Sequence, residues 1–175
     1  MASDAPKEAE MLQRKFFRQN VHRIWKMVKS GRQGELSEKD GNLAEILMEH
    51  EEYSDHFENT DILDGREYEA GAKFNPFLHI STHKMVEDQL SANSPIETTL
   101  FCETMEDRGF SRHEVIHYII MIMLHVMYAS ASVQRPFDAT RYKRMLIKCK
   151  EVEPSEIDKT IEADFASNEY KQDLH

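Results

Sequence analysis

The stretch Ser111-Arg112-His113-Glu114-Val115-Ile116-His117-Tyr118-Ile119-Ile120-Met121-Ile122-Met123-Leu124-His125-Val126-Met127 decides the fold class. Ser111 and Glu114 have the S-x-x-E spacing of a capping box, in which each side chain satisfies a backbone N–H of a helix's first turn. The apolar run from Val115 to Met127, interrupted by His117 and His125, then has no polar face. A helix hydrophobic all round is a buried one, so the pattern predicts a core helix from about Arg112 to Ser132. At 13 residues this run is shorter than the roughly 20 that span a bilayer, and no membrane is expected as a partner.

Start signals continue outward on both sides. Asn75-Pro76 places an N-cap before a proline at the first helical position, and the helix it opens carries His79, His83, Val86 and Leu90 on one face. Ser94-Pro95-Ile96-Glu97 repeats the signal with a capping-box Glu, and that helix stops at Gly109. Nearer the N-terminus, Phe17, Val21, Ile24, Trp25 and Val28 recur at helical spacing between Glu8 and Ser30, with Gly31 and Gly34 as the stop. A second helix follows Ser37, with Leu43, Ile46, Leu47 and His50 on one stripe. Residues from about 58 to 74 lack a sustained period and read as a long loop.

On the other side, Asp138 caps a sixth helix with Tyr142, Met145, Leu146 and Cys149 inside. Ile157, Ile161 and Phe165 form a weaker helical pattern, and residues 166–175 read as frayed. The expected fold is all-α. It is a single bundle of five to six helices over residues 8–150 with the long apolar helix at its centre, followed by an acidic C-terminal extension, 151–175.

Composition agrees. Six glycines and five prolines in 175 residues are too few for a turn-rich β fold. A net charge of −10 argues against nucleic acid as a partner, because phosphate binding draws on an excess of Lys and Arg. Arg14, Lys15, Arg18, Arg23, Lys26 and Lys29 give the first helix a basic face, which the carboxylates between Glu35 and Glu69 can neutralise within the fold. Cys102 and Cys149 cannot form a disulfide framework and no secretory signal opens the sequence, so a cytoplasmic location is expected.

Function has to be read from the nine histidines. His79 with His83, and His113 with His117, are four residues apart, which puts each pair on one face of its helix at the spacing used to chelate a metal. Both pairs lie early in their helices. If those two helices run parallel and the second runs antiparallel to them, His50 and His56 reach the same end of the bundle. Helix N-termini aimed there disfavour imidazolium, which keeps the rings neutral and able to ligate. The candidate metal ligands are therefore His79, His83, His113 and His117, with His50, His56 and Glu87 in reserve. Such a set suits a divalent transition metal, Zn, Fe, Ni or Mn.

Plainer roles compete. His113-Glu114-Val115-Ile116-His117 matches the zinc-protease pattern H-E-x-x-H, but Glu114 is more simply the capping-box acid. His125 reads as a hydrogen-bonded core residue, His22 and His175 as solvent-facing, and Met121, Met123 and Met127 as packing. The H-x-x-x-E spacing of His83 and Glu87 gives a superficial likeness to hemerythrin-type di-iron bundles, whose ligand order is not clearly matched.

Asn75-Pro76-Phe77-Leu78-His79-Ile80-Ser81-Thr82-His83, followed by Asp88-Gln89-Leu90-Ser91 and Pro95, resembles an uncharacterised bacterial family, domain of unknown function eighteen-forty-one. The resemblance extends to His50-Glu51-Glu52-Tyr53, to His113 and His117, and to the helix around Tyr142, and so covers roughly residues 10 to 150. It implies no activity. Two departures stand out: Ile116 where relatives carry a carboxylate, and Ser54 within what is an H-P-E-Y-H run elsewhere.

Three functions remain open. The leading one is a metal-binding helical bundle with a histidine cluster at one end. The second is a non-catalytic interaction or structural domain, in which the histidines form a buried hydrogen-bonded cluster and the apolar helix supports a homodimer. The third is a metal-dependent hydrolase, if three histidines hold the ion and one position stays open to water. Neither a substrate nor the presence of enzymatic activity can be read from the residues.

Overall fold

The computed structural model describes residues 5–59 and 75–166. These residues form eight α-helices, two short 3-10 turns and no strand, so the chain is all-α as its periodicity predicts. The helices are α1 (Ala5–Lys29), α2 (Glu38–Glu49), α3 (Ser54–Glu58), α4 (Pro76–Ser91), α5 (Ile96–Asp107), α6 (Arg112–Ser132), α7 (Ala139–Cys149) and α8 (Pro154–Ala166). The number exceeds the expected five to six because the segment after His50 coils into a short helix of its own and the acidic extension forms a full one. Most of the expected long loop and the expected frayed end, residues 60–74 and 167–175, lie outside the described residues. Backbone contacts group the chain into two compact units, Met1–Lys84 and Met85–His175, and the division falls inside α4.

In the first unit α2 and α3 pack on α1. Val21, Ile24 and Trp25 of α1 meet Leu43, Ala44, Ile46 and Leu47 of α2, Phe57 of α3, and Phe77 and Ile80 of α4 in one core. Gly31 ends α1 with φ +70°, a left-handed conformation that costs glycine nothing. The Ser37 hydroxyl caps α2 by accepting from the Asp40 N–H at 3.2 Å. Arg23 and Lys29 on the basic face of α1 pair with Asp40 at 2.6 Å and Glu58 at 3.6 Å, which is internal neutralisation of the kind the charge pattern suggests.

In the second unit α6 packs against α5, α7 and α8. Val115, Ile116, Ile119, Ile120, Ile122, Met123 and Val126 are buried along it. The capping box forms: Glu114 accepts from the Ser111 N–H at 2.9 Å and from its hydroxyl at 2.6 Å. At the start of α5 the expected box of Ser94 and Glu97 does not form, because Pro95 itself takes the N-cap position and leaves Ser94 one residue too early. Asp138 caps α7 through the Arg141 N–H at 2.8 Å.

Helix α8 gives Ile157 and Ile161 to the same core. It also buries Asp164, whose carboxylate binds Arg141 at 2.9 Å, Arg144 at 3.0 Å and Lys148 at 2.8 Å. Helix α6 has 21 residues, and its most apolar 18-residue stretch has a mean hydropathy of 1.6, enough by length and composition alone to cross a membrane. In this unit seven of its apolar side chains are buried in the core, while Tyr128 is exposed.

Candidate metal centre

Three imidazoles meet in the first unit. Asn75 caps α4 by accepting from the Leu78 N–H at 3.0 Å, and Pro76 fills the first helical position, as the sequence predicts. That start sets the phase of the helix, placing His79 and His83 one turn apart with ring centres 4.6 Å from each other. The third ring comes from the C-cap of α2: His50 lies 4.8 Å from His79 and 4.3 Å from His83. Ligands sharing one tetrahedral ion through bonds of about 2 Å hold ring centres roughly 5 Å apart, so this triangle is of the right size. His50 and His83 are buried and His79 is half-buried.

The His50 ring is fixed in a form that can bind metal. Its Nδ1 lies 2.7 Å from the Ile46 carbonyl oxygen. A carbonyl only accepts, so Nδ1 carries the proton and the lone pair sits on Nε2. A metal-binding histidine ordinarily has this arrangement, with its second nitrogen donating to a backbone carbonyl or carboxylate. Tyr53, one turn on, stacks with His50 at 5.9 Å and meets His79 edge-on at 5.7 Å. Burial, then the nearby Glu52, pushes its phenol above the ordinary range, so it stays protonated.

The second unit holds a pair of its own. His113 and His117, on the first two turns of α6, have ring centres 4.4 Å apart, and both are half-buried. Glu87 sits one turn beyond His83 on α4, with its carboxylate on the Arg112 guanidinium at 2.8 Å. His56 lies half-buried on α3. His125 donates to the Met121 carbonyl at 2.9 Å, the core role expected of it. The solvent-facing reading of His22 is corrected: it is half-buried, and its Nδ1 donates to the Phe57 carbonyl at 2.8 Å, tying α1 to α3.

Two participants escaped the sequence reading. Tyr53 could have been found from its place in His50-Glu51-Glu52-Tyr53, since a residue three positions past a C-cap histidine comes back over the ring when the chain continues in a 3-10 turn. Arg112 could have been found from its position next to His113. Glu114 is held by Ser111 through two hydrogen bonds, which pull it below the ordinary carboxyl range, and serves as the cap that its spacing predicts.

The family model described as Domain of unknown function (DUF1841) matches residues 13–148. The chain belongs to that family. No curated protein and no solved structure matches it. The DUF1841 match spans every histidine of the described residues and Glu87, and α8 lies beyond it.

Proposed function

We propose that this protein binds a divalent transition metal through imidazole ligands. The observation that carries the reading is the triangle of His50, His79 and His83, with His50 held in the Nδ1–H form by Ile46. Isolated core histidines, such as His125, satisfy themselves on a carbonyl one turn back and need no second imidazole. Three rings drawn from two helices into mutual contact are better accounted for as ligands.

His113 and His117, paired at the same helical spacing as His79 and His83, are the candidates to complete the ligand set. Zn, Fe, Ni and Mn remain the candidate ions, since imidazole serves all of them. An open coordination position would make hydrolysis by a metal-activated water available to the site.

Metal analysis of untagged protein tests the reading directly. Stoichiometric metal that is lost in both His83→Ala and His117→Ala supports the shared site. Metal kept by His117→Ala but lost by His83→Ala confines the site to the first unit. Protein that takes up none of the four metals, and whose melting they do not change, ends the proposal.

A second reading, a domain that pairs with another copy of itself, is favoured by the exposed Met11, Leu12 and Phe16 on α1, which are 63%, 53% and 66% exposed. Sedimentation of wild type against Phe16→Asp decides it: a dimer that becomes a monomer supports the pairing, and a wild-type monomer removes it.

A further inference from the structure

We propose that Glu87 is a metal ligand held in reserve by Arg112. This inference rests on the metal-binding reading above and concerns how that site is controlled. His79, His83 and Glu87 occupy successive turns of α4, at i, i+4 and i+8, and therefore line one face of the helix. An H-x-x-x-E step along a helix offers a carboxylate to the same region as the imidazole before it. In the structure that carboxylate is engaged elsewhere: its Oε2 accepts from the Arg112 guanidinium at 2.8 Å.

Arg112 is the residue before His113 at the first position of α6, and its second nitrogen lies 3.8 Å from Glu106. The guanidinium thus has a second carboxylate to turn to when Glu87 leaves. Its side chain is 52% exposed and that of Glu87 is 26% exposed. An ion pair as open as this is weak, so little opposes the exchange of Arg112 for a cation of higher charge. The imidazole ligands are neutral, and a dipositive ion that they hold keeps its whole charge. A carboxylate one turn away is the group that such an ion attracts most strongly.

The pair therefore works as a two-position device. With Glu87 on Arg112 the ligand set is nitrogen only. With Glu87 on the ion, the set gains an anionic oxygen, and affinity and metal preference move toward harder ions such as Mn and Fe. An anion that binds Arg112 would favour the second position by freeing the carboxylate.

A mutant cycle read by Zn²⁺ competition against a chromophoric chelator tests this. Arg112→Gln should raise Zn²⁺ affinity by roughly tenfold or more, the scale on which metal-site neighbours act. Glu87→Gln alone should change it little, and the double variant Arg112→Gln/Glu87→Gln should return to the wild-type value. Arg112→Lys keeps a cation beside Glu87 and should stay near wild type, while circular dichroism checks that every variant folds. An unchanged or weakened affinity in folded Arg112→Gln, or a gain that persists without Glu87, overturns the proposal while leaving the histidine site intact. Absence of Zn²⁺ from both wild type and Arg112→Gln overturns the metal reading itself.

Discussion

Tyr142 shows what a single buried hydroxyl does in this protein. Its OH donates to the Gln89 Oε1 at 2.9 Å, and the Thr98 hydroxyl donates to the same oxygen at 2.9 Å. Burial pushes the phenol up to about 12, so it remains a donor at every physiological pH. Tyr142→Phe leaves Thr98 in place on that oxygen, and the loss should be that of one neutral hydrogen bond, about 1 kcal/mol in urea unfolding. Glu114 makes the opposite case. Glu114→Gln keeps an acceptor for the Ser111 N–H, so metal content and melting temperature should both stay near wild type; loss of a hydrolytic activity from the folded variant would instead assign Glu114 a catalytic task. At this scale the sequence was legible wherever function depends on spacing along one helix, as in the pairs His79/His83 and His113/His117. It was less legible where partners are distant in sequence. That His50 meets His79 and His83 was expected from an assumed order of antiparallel helices, whereas that His22 reaches Phe57 depends on how helices pack, and no local pattern encodes it.

Among the elements, α8 was the one most underestimated from sequence. Its apolar positions are few, but Ile157 and Ile161 are fully buried, and Asp164 gathers three cations from α7. Arg141 in turn lies over the Phe165 ring at 3.8 Å. Propensity and hydrophobic period do not register an acidic residue that docks a helix by ion pairing. Burial alone would raise the Asp164 carboxyl, yet the hydrogen bonds from Lys148 and Arg144 prevail and hold it below the ordinary range. An unfolded aspartate titrates near pH ~3.9, so this stabilisation is complete above that value and is lost as pH falls through the lower folded one. Asp164→Asn removes a carboxylate charge from the Arg141 guanidinium, whose side chain is only 5% exposed, and should cost about 3–5 kcal/mol at neutral pH. It should also flatten the fall of melting temperature below about pH 4. For α6, Ile119 is fully buried whereas Leu124 only packs at the edge of the core, so Ile119→Asp should be the more damaging of the two, by several kcal/mol.

For the molecule as a whole, the proposed site predicts that metal and stability are linked. An ion that the unfolded chain binds poorly stabilises the folded one by about 2.7 kcal/mol at a free concentration one hundred times its Kd, so a chelator should lower the melting temperature and added metal should restore it. In His83→Ala and His117→Ala the chelator should have no effect. The all-α class was legible from end to end because caps and apolar periods agree with one another. The grouping into two units was not, because the division falls inside α4, where no break in the helical pattern marks it. The long apolar helix also bears on how the chain is made. Helices α5, α7 and α8 pack on α6, with Val86 of α4 in the same core, and α7 and α8 follow it in sequence. A chain growing from its N-terminus therefore carries α6 without the full cover of α7 and α8 until synthesis has passed Ala166. During that interval a segment long and apolar enough to cross a bilayer is only partly covered. Nascent chains arrested before Ala139 should bind chaperones or aggregate, and release of the full chain should end both.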